Sequence, residues 1–366
     1  MISSIIGQRR ATKILSNAIS SSRVANSYLF YGPEGSGKFT AALEFCMALN
    51  CKSNNKPCQK CDSCLKFKNL NHPDLTYIFP TPNLEISLEG NAKKGTFLQE
   101  IDKYKTNRIE TPFAKFFFSA NTEIRVDVVH MISHRNSFSR NEADVKIVLI
   151  EDCDQMNIAA QNAFLKTLEE PAEDVVIVMT TTNIDILLST IVSRCQRIPF
   201  YALSQKIVEE FLNKNWQAKS GRARIAARLA GGNMGKALRY LEKEDEGPKD
   251  FALNLIRLAV NKQDAEFLQM VAKSPIKREP EWFNEVLTQL TLWLYDISFL
   301  RTNPKQILNV DKLEQIEQIS NICPRILQEA DGLVESIQRK KPLLKNNINQ
   351  TLLLTTIYAK ITRLAE

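Results

Sequence analysis

Residues 32–38 read Gly-Pro-Glu-Gly-Ser-Gly-Lys and have the G-x-x-x-x-G-K spacing of a phosphate-binding loop. An apolar run precedes the loop and a helix-forming run follows it, so the expected order is strand, loop, helix. In such a loop the backbone N–H groups face phosphate oxygens, the helix N-terminus favours the anion and the lysine reaches the outer phosphates. The residues expected to bind phosphate are Gly32, Gly35, Gly37 and Lys38. A chance glycine turn is the alternative, which the flanking strand and helix disfavour.

The position after the lysine weakens the case for metal-dependent chemistry. Phosphate loops of this kind place a Ser or Thr hydroxyl there to hold Mg²⁺, whereas this chain has Phe39. Thr40 comes one residue late, on a different side of the expected helix. The sequence therefore predicts a phosphate-loop fold with a degenerate site, which could hold ATP or ADP without hydrolysing it.

Four cysteines lie close together with the spacing C-x6-C-x2-C-x2-C: Cys51, Cys58, Cys61 and Cys64. Four thiolates with tight C-x2-C turns can close a tetrahedral Zn²⁺ site. The protein then fills all coordination positions, so we expect a structural zinc rather than a catalytic one. Free or redox-active thiols are the alternative, and the spacing alone does not distinguish zinc from iron.

An acidic pair, Glu151 and Asp152, follows an apolar run of the kind buried in a parallel sheet. The carboxyl end of such a strand lies at the crevice where the phosphate loop of a neighbouring strand presents nucleotide. One carboxylate there would hold Mg²⁺ through water and the next would orient the attacking water. An exposed acidic turn is the alternative.

The composition is that of a globular protein. The chain has 366 residues, 44% hydrophobic and 24% charged, which suggests roughly two or three domains. The net charge of +7 is compatible with work near nucleic acid, but spread along the chain it is more typical of a solvated surface. No apolar run approaches the ~20 residues that cross a bilayer, and the N-terminus does not resemble a secretory signal. We therefore expect a cytoplasmic protein without membrane contact.

Residues 80–122 are polar, lysine-rich and interrupted by prolines and glycines. We expect mostly an inserted surface loop there, with a short helix near residues 97–104. The three phenylalanines at 116–118 should pack back on the domain. The alternative is that they contact a partner protein. After residue 200 the pattern becomes helical, with apolar stripes that predict a helical core.

Several segments together resemble the bacterial clamp-loader subunits of the AAA+ superfamily. They are residues 5–8 (IIGQ), the phosphate loop, residues 49–51 with the cysteine cluster, residues 164–171 (FLKTLEEP) and residues 190–195 (TIVSRC). The resemblance is specific over about residues 1–200 and loose beyond. It implies an α/β fold with an AAA+ P-loop core at 1–200, which carries a zinc module at about 51–64 and the inserted loop at about 80–122. A helical lid at 201–245 and an all-α collar, or oligomerisation, domain at 246–366 would follow.

This family contains ATP-hydrolysing gamma/tau subunits and a stator subunit, and three departures from the family pattern favour the stator. Phe39 replaces the metal-binding hydroxyl. Glu151 and Asp152 invert the family's Asp-Glu order, so the shorter carboxylate stands where the water-orienting glutamate belongs. In the segment that resembles the second sensor, Gly235 replaces an arginine, although Lys236 beside it could partly substitute.

Arg194, by contrast, matches the family pattern. The S-R-C arginine of this family points at the γ-phosphate bound by the neighbouring subunit, and such an arginine finger in trans is worth about 10³–10⁵ in rate. A local ion pair at a helix end is the alternative for Arg194. Thr181 lies at the first-sensor position, which contacts the γ-phosphate in active relatives, and here would be a strand-end hydroxyl with residual function.

The resemblance implies a stator and arginine-finger donor with little or no ATPase activity of its own. Its partners would be the gamma/tau and delta subunits of a hetero-pentameric clamp loader, and through it the sliding clamp and primed DNA. One alternative is an ATP-hydrolysing gamma/tau-like subunit in which Thr40 and Glu151 recover the metal site. Another is a zinc-stabilised protein-binding module outside replication.

Overall fold

The structure is a computed structural model that describes residues 5–21, 23–82, 97–113, 116, 118–216, 220–242, 247–277, 280–302, 304, 307–340 and 349–365. The chain divides into two compact units, Met1–Arg239 and Tyr240–Glu366. The first unit contains a parallel α/β sheet, and the second is helical. The predicted boundaries between core, lid and collar remain predictions.

The first unit contains five strands: β1 (Ser27–Tyr31), β2 (Leu75–Ile78), β3 (Lys146–Ile150), β4 (Val175–Thr181) and β5 (Gln196–Pro199). They form one parallel sheet in the order β2-β3-β4-β1-β5. Strands β3 and β4 are buried along their whole length, which explains why their sequences are apolar runs rather than alternating patterns. β4 separates β1 from β3, so the phosphate loop and the acidic pair flank the end of β4 instead of following adjacent strands.

Helices cover both faces of the sheet. They are α1 (Arg9–Ser20), α2 (Lys38–Leu49), α3 (Asp62–Lys68), α4 (Leu98–Glu110), α5 (Val126–Asn136), α6 (Ile158–Glu169) and α7 (Ser189–Ser193). Successive strand residues point to opposite faces, and β1 illustrates the division. Tyr28 and Phe30 belong to the same buried cluster as Phe45 of α2, whereas Leu29 belongs to the cluster of Phe164 of α6.

Helix α4 lies within the region predicted to be mostly an inserted loop. The helix predicted near residues 97–104 is present and continues to Glu110. Phe116 and Phe118 pack on Tyr104 of α4, with ring centroids 5.6 and 5.4 Å away, so the packing interpretation of these two phenylalanines is confirmed. Residues 83–96 lie outside the described residues.

Three further helices follow β5: α8 (Gln205–Trp216), α9 (Ser220–Leu229) and α10 (Met234–Glu242). The helical pattern predicted for this stretch is confirmed. That these helices act as a lid remains a prediction.

The second unit contains α11 (Gly247–Val260), α12 (Asp264–Lys273), α13 (Pro280–Thr302), α14 (Leu313–Ile322), α15 (Ile326–Lys340) and α16 (Gln350–Leu364). Trp293 of α13 is fully buried at its centre. Its indole N–H donates to the carbonyl oxygen of Lys249 at 3.1 Å. The apolar stripes of α13 and α16 belong to this buried cluster, with Leu300 and Leu364 partly buried at its edge. Among the described residues, no helix is long and apolar enough to cross a membrane.

Candidate functional site

The phosphate loop follows β1, and its lysine begins α2. Gly32, Gly35 and Gly37 all have positive φ, at 144°, 72° and 90°. An added Cβ at Gly32 would lie 2.1 Å from the carbonyl oxygen of Phe200, so only glycine fits there. At Gly37 an added Cβ would meet no heavy atom within 4 Å. All three loop glycines therefore have backbone conformations that disfavour a residue with a Cβ.

Lys38 is directed back into its own loop. Its Nζ donates hydrogen bonds to the carbonyl oxygens of Gly32 and Pro33, both at 2.8 Å. Burial lowers the pKa of Lys38, and the nearby Asp152 acts in the opposite direction. The ammonium group thus lies inside the loop, where two of the loop's carbonyl oxygens hold it.

Phe39 fills the place beside the lysine with an aromatic ring. The side chain is buried, and its ring centroid lies 5.8 Å from that of Tyr77 on β2. The hydroxyl of Thr40, one residue later, is buried, and its Oγ1 has no hydrogen-bond partner among the described residues. The first turn of α2 therefore offers a ring where a metal-dependent loop offers an oxygen ligand.

Glu151 follows β3 and is almost completely buried. Its Oε2 accepts hydrogen bonds from the hydroxyls of Tyr77 at 2.6 Å and Tyr104 at 2.8 Å. Its Oε1 accepts from the guanidinium of Arg108 on α4. Burial raises the pKa values of Tyr77 and Tyr104, so both hydroxyls remain protonated donors. Both carboxylate oxygens of Glu151 are therefore engaged by protein groups.

Arg108 connects the acidic residue to the aromatic ring of α2. Its guanidinium carbon lies 4.8 Å from the centroid of the Phe39 ring, a distance at which a cation is attracted to an aromatic face. A second nitrogen donates to the carbonyl oxygen of Pro112 at 2.9 Å. Its side chain is only 14% exposed. The region predicted as a surface insertion thus supplies a cation to the candidate site.

Phe39 and Glu151, at the two positions where the sequence pattern places metal ligands, do not fit a resident Mg²⁺. The ion needs near-octahedral oxygen coordination, but Phe39 offers no oxygen and the oxygens of Glu151 bind Arg108 and two tyrosines. A cationic guanidinium beside the carboxylate also repels a second cation. The interpretation of Glu151 as a metal-holding carboxylate is therefore not supported by its surroundings.

Two further polar residues close the end of β4. The hydroxyl of Thr181 donates to Oδ1 of Asp154 at 2.7 Å, and the carbonyl oxygen of Thr181 accepts from the N–H of Gly32 at 3.3 Å. Asp152 has a left-handed backbone with φ 48°, which turns the chain between β3 and Asp154. The structure thus brings Asp152 and Thr181 to the phosphate loop, as the sequence predicts, and adds Asp154.

The segment that resembles a second sensor contacts the phosphate loop directly. The backbone N–H of Met234 donates to the carbonyl oxygen of Gly35 at 3.1 Å. An added Cβ at Gly35 would lie 2.1 Å from Oδ1 of Asn233, and one at Gly235 would lie 2.1 Å from the carbonyl oxygen of Phe113. Gly235 is therefore a close-packing position, in which an arginine side chain would displace the backbone at Phe113.

Arg194 lies at the end of α7, outside the phosphate-loop cluster. Its guanidinium donates to Oε1 of Glu169 at 2.7 Å and to the carbonyl oxygen of Thr190 at 2.9 Å. The side chains of Arg194 and Glu169 are 36% and 50% exposed. The ion pair between Arg194 and Glu169 is the local contact that the sequence offers as the alternative to an arginine finger. It is present in the single chain, and the arginine is exposed to solvent.

The four clustered cysteines converge. The Sγ atoms of Cys51, Cys58, Cys61 and Cys64 lie within 4.8 Å of one another. In a tetrahedral zinc–thiolate site with Zn–S bonds of about 2.3 Å, the sulphurs lie about 3.8 Å apart. Backbone N–H groups of Lys60 and Cys61 lower the pKa of the Cys58 thiol to about 6, whereas burial raises the pKa of the Cys64 thiol. The residues fit a structural metal ion, and this cluster could hold one.

Sequence reasoning missed five residues of the phosphate-loop site. They are Tyr77, Tyr104, Arg108, Asp154 and Asn233. Asp154 belongs to the same acidic run as Glu151 and could have been included for that reason. No spacing signal links Arg108 to Glu151, because the connection depends on how α4 folds over the sheet.

Comparison with known proteins agrees with the sequence resemblance. The family model described as "DNA polymerase III, delta subunit" matches residues 7–204, more than half of the chain. The delta' subunit of DNA polymerase III from Bacillus subtilis is 28% identical over 350 residues, which cover 93% of this chain and 92% of that protein. The tau subunit from the same organism is 29% identical over 246 residues, which cover 65% of this chain but only 37% of that protein.

Among solved structures, a gamma subunit-related protein from Thermotoga maritima aligns over 98% of this chain and 100% of its own, with a TM-score of 0.47 and 17% identity. The assignment rests on the sequence matches, together with the phosphate loop, the cysteine cluster and the S-R-C segment. This chain belongs to the bacterial clamp-loader family of DNA polymerase III subunits, the family whose model is described as "DNA polymerase III, delta subunit".

Proposed function

We propose that the chain is the delta-prime subunit of the DNA polymerase III clamp loader. In this role it is a stator that assembles with gamma/tau and delta subunits in a hetero-pentamer and helps to place the sliding clamp on primed DNA. The observation that carries the proposal is that the phosphate-loop site lacks two groups expected of an ATPase. Phe39 replaces the metal-binding hydroxyl, and Glu151 is paired with Arg108.

The proposal divides the chain into a P-loop core, a helical lid and a helical collar, with the four cysteines holding a structural Zn²⁺. The cysteines would fix the segment between α2 and α3, since Cys51 follows α2 and Cys64 lies within α3. Lys38 and the loop glycines would hold the phosphates of ATP or ADP. With a phenylalanine in place of the metal-binding hydroxyl on α2 and with Glu151 engaged by Arg108, the site would be a poor catalyst of ATP hydrolysis.

Arg194 supplies the chemistry that the chain contributes to the assembly. A guanidinium directed at the γ-phosphate of a neighbouring subunit would neutralise the charge that develops as the terminal phosphoryl group is transferred. Its present contact with Glu169 is an exposed ion pair, and such pairs are worth only about 0–1 kcal/mol. Arg194 can therefore exchange Glu169 for a neighbour's phosphate at little energetic cost.

A gamma/tau-like ATPase is the second candidate. The intact Lys38, the glycine conformations of the loop and the similarity to tau over 65% of the chain favour it. The two candidates differ in what the isolated chain does. A stator should have no ATP turnover above that of its Lys38→Ala variant, whereas an ATPase should lose its turnover with that substitution.

Assembly is the direct test of the proposal. The purified chain should co-elute with gamma/tau and delta from the same bacterium, and the complex should hydrolyse ATP faster than the same mixture without this chain. Failure to bind these partners would instead favour a protein-binding module outside replication. Brisk turnover by the isolated chain would favour the gamma/tau-like candidate.

A further inference from the structure

The turn at the end of α4 lies between the sheet and the helices that follow β5. We call residues 108–113 the strap. At its start, the guanidinium of Arg108 donates to the carboxylate of Glu151 just after β3 and lies 4.8 Å from the centroid of the Phe39 ring on α2. At its end, Phe113 contacts α8 and α10. The two ends of the strap thus contact different parts of the first unit.

The strap is folded on itself, so its two ends are connected by short contacts. A second nitrogen of Arg108 donates to the carbonyl oxygen of Pro112 at 2.9 Å. The backbone N–H of Thr111 donates to the carbonyl oxygen of Asn107 at 2.8 Å, and the ring of Pro112 fixes its own φ. The guanidinium that pairs with Glu151 therefore also holds the residue next to Phe113.

Phe113 contacts two helices beyond β5. Its carbonyl oxygen lies 2.1 Å from the place where a Cβ of Gly235 would be, so the backbone of the strap is in close contact with the first turn of α10. The ring of Phe113 packs edge-to-face on Phe211 of α8, with ring centroids 5.6 Å apart and an interplanar angle of 73°, a favourable aromatic geometry. Both contacts depend on where the strap places Phe113.

The connection from Glu151 through the strap to α8 and α10 consists of protein groups alone. It runs past Phe39 at the first turn of α2 rather than through the phosphate loop. In proteins that close around a ligand, the ligand itself joins the two parts of the structure. Here the chain supplies that connection between the sheet and the helices.

We propose that the strap fixes α8 and α10 on the sheet, so that the arrangement of these helices does not depend on bound nucleotide. Gly235 then provides the space that the backbone of Phe113 needs at α10. The inference goes beyond the proposed function and does not depend on Arg194. An unchanged loader rate after Arg194→Ala would remove the finger role and leave the strap untouched.

Hydrogen–deuterium exchange of the full chain, followed by mass spectrometry, tests the strap at its α10 end with Gly235→Ala. Helix propensity alone predicts slower exchange in α10, because alanine favours a helix more than glycine does. The strap predicts the opposite, since the added Cβ displaces Phe113. Residues 231–239 should exchange about fivefold faster, the factor that corresponds to the loss of one aromatic pair.

Gly332→Ala is the matched control. Gly332 also lies within a helix, α15, but the nearest heavy atom to an added Cβ there is Oε2 of Glu329 at 3.8 Å. Exchange in α15 should therefore be slower than in wild type or unchanged.

Arg108→Gln/Glu151→Gln tests the other end of the strap and guards against a Gly235 variant that does not fold. This double variant leaves no buried charge unpaired and removes the guanidinium that holds Pro112. Exchange of residues 231–239 should again rise by about fivefold, although neither substitution lies in that segment. In wild type, ADP with MgCl2 should leave exchange in α8 and α10 unchanged.

Unchanged or slower exchange of residues 231–239 in either folded variant would overturn the proposal. A wild-type chain in which ADP and MgCl2 slow exchange in α8 and α10 by about fivefold or more would also overturn it, because nucleotide would then make the connection.

Discussion

The buried pair of Arg108 and Glu151 makes a quantitative prediction about stability. Arg108→Gln removes the cation and keeps a polar side chain of similar reach. Glu151 is only 2% exposed and cannot turn to solvent, so the variant leaves a carboxylate without its counter-ion in the core of the first unit.

The expected loss of unfolding free energy is about 3 kcal/mol. Removing one partner of a buried ion pair costs about 3–5 kcal/mol, because the remaining charge is uncompensated. We expect the lower end of this range, since Tyr77 and Tyr104 keep their hydrogen bonds to Glu151. Glu151→Gln should cost a similar amount. The double variant should cost at least 2 kcal/mol less than the sum of the two single changes, because it strands neither charge.

Urea unfolding followed by circular dichroism, fitted with one transition for each unit, measures these losses. Arg339→Gln is the contrasting control, because Arg339 and Glu335 form an ion pair with side chains 76% and 61% exposed, for which we expect a loss of about 0–1 kcal/mol. If Arg108→Gln also cost less than about 1 kcal/mol, or if the double variant equalled the sum of its parts, the pair would behave as a surface contact and the reasoning would be refuted.

Two further predictions concern groups away from the phosphate loop. Burial alone would raise the pKa of Asp74, but the backbone N–H groups of residues 141–143 lower it to about 2 from an ordinary 3.8. Asp74→Asn should therefore cost about 2 kcal/mol of unfolding free energy above about pH 4, and this difference should shrink as pH falls through 2. If urea unfolding gave the same loss of free energy for Asp74→Asn relative to wild type at every pH, this prediction would be contradicted. Elemental analysis should find one zinc per wild-type chain, lost in Cys64→Ser and kept in Cys195→Ser, which changes a buried cysteine outside the cluster. Iron in place of zinc, or zinc retained by Cys64→Ser, would contradict the structural zinc site.

Local patterns predicted the parts of the fold that depend on short stretches of chain. The phosphate loop, the apolar strand before Glu151 and the convergence of the cysteines each follow from residues close in sequence. The apolar stripe around Trp293 was also recognisable, because a helix repeats its buried face every three to four residues. These features needed no knowledge of how distant segments meet.

Long-range contacts explain what the sequence did not reveal. Arg108 and Glu151 lie 43 residues apart, and a lysine-rich segment broken by prolines gives no sign that it folds over the sheet. The same holds for Gly235, where the family pattern indicates only the loss of an arginine. The structure adds a packing reason, since the carbonyl of Phe113 lies where a Cβ would be.

The ATPase rate of the reconstituted loader tests the central claim that this chain acts on a neighbour's nucleotide. Arg194→Ala should assemble normally but lower the rate, because turnover at the affected site loses a group worth about 10³-fold or more. Glu169→Gln is the matched control, since it breaks the same ion pair but leaves the arginine in place, and its rate should be at least that of wild type. A loader that hydrolyses ATP at the wild-type rate with Arg194→Ala would contradict the account.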